Sequence, residues 1–118
     1  MQYQFEKLDV WKIGMKVVQK VYNLSKKFPK DEQFGLTNQM RRAAVSITLN
    51  LAEGTGRMTK KDFASFVRNA IGSCLEVNAC AKIAVQENYV SSTDIVQLDT
   101  DLQELYFKMI ALDKSLRR

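Results

Sequence analysis

Apolar side chains return every three or four residues along almost the whole chain, and nowhere do they sustain the period-two alternation of a half-buried strand. Between Leu8 and Lys27 one row runs Leu8, Trp11, Met15, Val18 and Tyr22. A second row, Val10, Gly14, Val17, Val21, Leu24 and Phe28, lies beside it. Together they make a face broader than a two-helix seam uses, which favours self-association. Pro29 disfavours helical geometry at Phe28, so the first helix is expected over about residues 8–27. A connector follows, with one helical turn expected at Asp31–Gln33. The second helix is expected over about 38–54, with Thr37 as its N-cap and Gly54 and Gly56 closing it. Thr59 with Asp62 three later resembles a capping box and opens a third helix, about 60–88, along Phe63, Val67, Ala70, Cys74, Val77 and Ala81. Ser91 with Asp94 repeats the signal before a fourth, about 92–116, with Leu98, Leu102, Leu105, Met109 and Leu112 at heptad-like steps. The prediction is an all-α, antiparallel up-down four-helix bundle formed by residues 1–118 as one domain.

The second helix breaks the simple two-face pattern. No residue from Ala43 to Ala52 is charged, yet Gln39, Arg42, Ser46, Asn50 and Glu53 recur at helical spacing and form one polar stripe. The rest of that helix is small or apolar, so it is expected to be enclosed on most sides. Its stripe must then be answered inside the protein, since an unpaired buried polar group is costly. One reading is a structural network that sets helix register, completed by Glu76 of the third helix through Arg41 or Arg42; Asn50→Ala would then lower stability strongly. The other is a pore or ligand pocket lined by the same residues.

Charge adds a candidate surface. The net charge is +5, and residues 1–30 alone hold seven lysines against Glu6 and Asp9. Lys12, Lys16 and Lys20 are four apart, and Asn23 and Lys27 continue the line opposite the apolar face. Such a stripe is either a solvated helix face or a contact for nucleic-acid phosphates. No aromatic side chain interleaves it, so base stacking is not indicated. The turn Gly54-Thr-Gly-Arg57-Met-Thr-Lys60-Lys61 invites a phosphate-loop reading, but it lacks the Gly-Lys-Ser/Thr of a P-loop and follows no strand. Arg41, Arg57, Lys60 and Lys61 can still extend a nucleic-acid surface.

Histidine is absent, which removes the commonest general base and metal ligand. Cys74 and Cys80 would lie about 9 Å apart along one helix, too far for a disulfide, and read as buried thiols. No zinc spacing occurs, so neither cofactor nor metal is expected and the chain does not read as an enzyme. No uncharged run approaches the ~20 residues that span a bilayer, and Met-Gln-Tyr-Gln-Phe-Glu is not an export signal, so a cytoplasmic protein without a membrane partner is expected.

The pattern Gln39-x-Arg41-Arg42-Ala43-x-x-Ser46-Ile47-x-x-Asn50-x-Ala52-Glu53-Gly54, followed by Ala70-x-Gly72-Ser73-x-x-Glu76, resembles the bacterial 23S ribosomal RNA intervening-sequence protein family. Phe5-x-x-Leu8-x-Val10-Trp11 and Phe34-Gly35-Leu36 are similar to that family too. The resemblance implies a four-helix bundle, often a ring-shaped homopentamer, of unsettled biochemical role. A more distant likeness to the accessory protein of diversity-generating retroelements implies binding of nucleic acid or of another protein. The expectation is therefore a non-enzymatic oligomer, with either RNA or DNA bound through the first helix and the 2–3 turn, or a protein partner held by an interaction scaffold.

Overall fold

A computed structural model describes residues 1–118: four long helices, α1 (Asp9–Ser25), α2 (Leu36–Thr55), α3 (Lys60–Gln86) and α4 (Val96–Leu116), and no strand. Single 3-10 turns occupy Gln4–Lys7, Lys30–Glu32 and Thr93–Ile95. Each helix packs on its two neighbours in a closed cycle, with α2 and α3 in the most extensive contact. Short connections make consecutive helices antiparallel, which is the predicted up-down bundle. Its extents are 44 × 24 × 23 Å, and the 27 residues of α3 run nearly the full length at about 1.5 Å per residue.

The core follows the three-four periodicity. Val10, Ile13, Val17, Val21 and Leu24 enter from α1, Met40, Ala44, Ile47 and Leu51 from α2, and Leu98, Leu102, Leu105 and Met109 from α4. The contribution of α3 is small-sided: Ala70, Cys74, Cys80, Ala81 and Ala84 alternate with Val67 and Val77. Facing Ala43 and Ala44, these side chains let α2 and α3 approach closely. Both cysteines are free and buried.

The ends of α2 differ from expectation. The helix begins at Leu36, and Thr37 is not its cap. Glu32 reaches forward from the preceding turn, its Oε1 accepting from the Leu36 N–H at 2.9 Å and its Oε2 from the Tyr89 hydroxyl at 2.7 Å. The carboxylate lies over Gly35, where a Cβ would stand 2.5 Å from Oε1. A capping signal four residues upstream and reliant on a bare glycine is invisible to a search for Ser, Thr, Asp or Asn at the boundary. At the other end Gly54 lies within α2, because the first turn of α3 crosses it: a Cβ there would meet Phe63 Cδ1 at 2.8 Å and Phe66 Cβ at 3.0 Å.

The two remaining capping signals hold in part: only the Thr59 half of the first box forms, and the second opens a 3-10 turn, so α4 begins at Val96 rather than at about 92. Thr59 Oγ1 accepts from the Asp62 N–H at 3.0 Å, and Ser91 and Asp94 bond each other's backbone amides, here opening the turn that precedes α4. The end of α3 turns at Asn88, whose φ of 62° is left-handed, with the Tyr89 N–H returning to the Ala84 carbonyl at 2.9 Å.

Within the single chain α2 is covered on one face, not on most sides. Met40, Ala43, Ala44, Ile47, Thr48, Leu51 and Gly54 are buried, while Asn38, Gln39, Arg42, Leu49 and Glu53 are exposed. The small residues serve a close α2–α3 crossing, and that requirement mimics all-round enclosure in sequence. On α1, the row through Val10 and Val17 enters the core, whereas Met15 (44% exposed) and Tyr22 (39% exposed) remain outside it.

Candidate nucleic-acid interface

The lysine stripe of α1 lies along the α1–α4 seam, and α4 with the turn before it answers part of the stripe. Lys20 is paired with Asp101, and Lys27 Nζ lies 3.2 Å from Asp94 Oδ1. At the opposite end the polarity is reversed: Lys108 of α4 lies 2.6 Å from Asp9 of α1. The Lys108 hydrogen bond and charge hold Asp9 below the ordinary carboxylate range, helped by the nearby charges of Lys12 and Lys16. Those two lysines are exposed and form no ion pair. The stripe is thus half neutralised and half free, a division fixed by where Asp101 of α4 and Asp94 of the turn before it fall.

Arg41 and Arg57 are engaged locally. Arg41 Nε donates to Ser25 Oγ at 2.8 Å, and its guanidinium sits 4.7 Å from the Tyr22 ring centroid. Arg57 pairs with Glu53 at 2.7 Å and lies 4.4 Å from the Phe66 centroid. Lys60 and Lys61 are exposed and unpaired at the start of α3.

The polar stripe resolves into three separate clusters. Ser46 Oγ accepts from Asn50 Nδ2 and from Ser73 Oγ, both at 3.0 Å, and Asn50 Nδ2 also donates to the Ser46 carbonyl at 2.9 Å. Gln39 donates to Glu76, the place expected for Arg41 or Arg42, because the α2–α3 crossing brings Gln39 opposite that carboxylate. Glu53 belongs to Arg57, and Arg42 is exposed without an ion pair. Rather than crossing a sealed interior, Arg42, Ser46, Asn50 and Glu53 border an open groove with Tyr22 and Leu49.

One cationic grouping is not visible in the linear sequence. The antiparallel topology brings the end of α4 beside the start of α3, so Arg68, Arg117 and Arg118 join Lys60 and Lys61 around a cleft of about 520 Å³. Lys114, Arg117 and Arg118 at the end of α4 also complement the helix dipole. Their distance from the 2–3 turn, more than fifty residues, hides the convergence. The up-down topology is the one signal that could reveal it.

Elsewhere, no group of three or more His, Cys, Asp or Glu residues is placed to hold a metal ion. Burial pushes the Cys74 thiol up to about 11, so it is a core group and a poor nucleophile. No helix is long and apolar enough to cross a membrane.

Fold and surface together define a small all-α bundle with cations and amide and hydroxyl groups exposed on its surface. The chain belongs to the 23S rRNA-intervening sequence protein family, whose pattern it matches over residues 6–111. Its fold is shared with a crystal structure of a protein of unknown function from the S23 ribosomal protein family of Bacteroides thetaiotaomicron VPI-5482. The two are 19% identical, with a TM-score of 0.81 covering 89% of this chain and 98% of that one. No curated protein matches the chain.

Proposed function

We propose that the protein is a non-enzymatic, self-associating bundle that binds the phosphate backbone of RNA or DNA. The observation that carries this reading is that Lys12 and Lys16 on α1 and Lys60 and Lys61 at the start of α3, at the same end of the bundle, are exposed and form no ion pair. Lys20 and Lys27, by contrast, are paired with Asp101 and Asp94. Counterion release by unpaired cations gives salt-sensitive, largely sequence-independent binding.

Self-association is supported by apolar side chains exposed on two different flanks. Met15, Tyr22 and Leu49 lie along α1 and α2, and Leu75 and Phe107 along α3 and α4. Unlike flanks meet in a heterologous contact, which closes into a ring when its rotation permits, and the homopentamer of the family resemblance is such a ring. Several copies would multiply a weak affinity per subunit through avidity. The second reading, a scaffold for another protein, draws on the α3–α4 groove, where Leu75 (54% exposed) and Phe107 (67% exposed) flank Asn78 and Asp99.

The test is purified protein passed over immobilised RNA and DNA at rising salt. Retention that falls steeply with salt and is lost on Lys12→Glu with Lys16→Glu supports the first reading. Protein that ignores both polymers at low salt but carries a bound polypeptide supports the second.

A further inference from the structure

Five cations border the cleft between the start of α3 and the end of α4, no carboxylate lines it, and one carboxylate beside it holds two of the five. That carboxylate is Asp113, 6% exposed. Its Oδ1 lies 3.1 Å from Arg68 Nε and its Oδ2 3.1 Å from an Arg117 guanidinium nitrogen, so both oxygens are committed. Pinning α4 to α3 accounts for Arg68, and an i,i+4 pair at the end of α4 accounts for Arg117. Neither accounts for Lys60, Lys61 and Arg118, which border the same cleft and form no ion pair. Like charges gathered around a concave surface repel one another and raise the local anion concentration.

We propose that this cleft seats a phosphate group of a nucleic-acid strand; the proposal rests on the nucleic-acid reading above and assigns it a discrete site. Asp113 holds two guanidiniums in place, and each keeps N–H donors that the carboxylate does not use. Planar forks fixed in this way match phosphate oxygens bidentately, while Lys60, Lys61 and Arg118 supply mobile charge at the rim. The floor is Ala64 and Leu116, and no aromatic ring lines the cleft. It therefore offers no platform for a base and reads the backbone alone, without sequence preference.

The experiment measures anisotropy of a fluorescein-labelled single-stranded oligonucleotide, in RNA and DNA forms, with the full chain at several salt concentrations. Lys60→Ala with Lys61→Ala is compared with Lys26→Ala with Lys30→Ala, which removes equal charge from the other end of the bundle. Arg118→Ala is a further variant that leaves Asp113 and its partners untouched. The cleft variants are expected to weaken binding roughly tenfold and to lower the log–log salt slope by about one for each phosphate no longer engaged, with the control pair close to wild type. Inorganic phosphate should compete better than chloride at equal ionic strength, and circular dichroism should show all variants folded. Equal losses in the cleft and control pairs would overturn the cleft while leaving nucleic-acid binding intact. A wild-type chain that binds no strand at low salt would overturn both.

Discussion

Gly54 shows how one missing side chain positions the 2–3 turn. Replacing a helical glycine by alanine ordinarily gains about 1 kcal/mol of helix propensity. Here the new Cβ would stand 3.0 Å from Phe66 Cβ and 2.8 Å from Phe63 Cδ1. The Phe63 ring can swing aside, but a Cβ moves only with its backbone, and overpacking of this kind costs about 1–3 kcal/mol. Gly54→Ala is expected to destabilise by a net ~1 kcal/mol, read as a lower urea midpoint at unchanged slope. Asn50 behaves differently from its sequence reading. It is half-exposed and bonds only to Ser46 of its own helix, so water can replace it. Asn50→Ala should shift stability by no more than ~0.5 kcal/mol, the lost bond being offset by alanine's propensity. A loss above ~2 kcal/mol in the assembled protein would instead show the groove to be buried between subunits.

At the scale of elements, capping carboxylates couple the connections to pH. The Leu36 N–H, and then the Tyr89 hydroxyl, hold Glu32 below its ordinary 4.5. The Ser91 N–H and Lys27 do the same for Asp94 from 3.8, as Lys108 does for Asp9. Each folded-state value lies below the unfolded one, so the unfolded chain binds more protons as pH falls through this range. The stabilisation is complete above the unfolded values and disappears as pH drops through the folded ones. Lys108 is raised from 10.5 by Asp9 and Glu104, and Tyr89 is raised to about 12 by Glu32, so a second loss is expected on the alkaline side. Urea midpoints measured from pH 3 to 7 should rise and then level off, and Glu32→Gln should flatten part of that rise. An unchanged acid limb in that variant would mean the cap does not hold in solution.

For the whole molecule, the arrangement of charge matters more than its sum. Half of the lysine stripe is paired with Asp94 and Asp101, while Lys12, Lys16, Lys60, Lys61 and Arg118 lie unpaired toward the end where α1 and α3 begin and α2 and α4 finish. Light scattering with absorbance at 260 and 280 nm should report a mass several times 13.5 kDa and show whether nucleic acid travels with the protein. Substituting the exposed Leu49 with Glu is expected to lower that mass without unfolding the bundle, because the side chain is 62% exposed in the single chain. A monomeric mass for the unsubstituted protein at micromolar concentration would remove the ring from the proposed function.

Periodicity and punctuation determined the helical class, the number and order of the helices and most of their bounds. Those properties follow from local spacing, from Pro29, from the Thr59 cap and from the Ser91–Asp94 turn before α4. The two apolar rows of α1 read as one broad face, and only packing decided that the row through Val10 and Val17 enters the core while Met15 and Tyr22 stay exposed. Partnership between distant residues was decided only by tertiary packing: Glu32 with Leu36 and Tyr89, Gln39 with Glu76, Lys20 with Asp101, and the meeting of Lys60 and Lys61 with Arg117 and Arg118. Spacing along a helix says which residues share a face, but the rotation and crossing of two helices set which faces meet, and that choice belongs to the packed core as a whole.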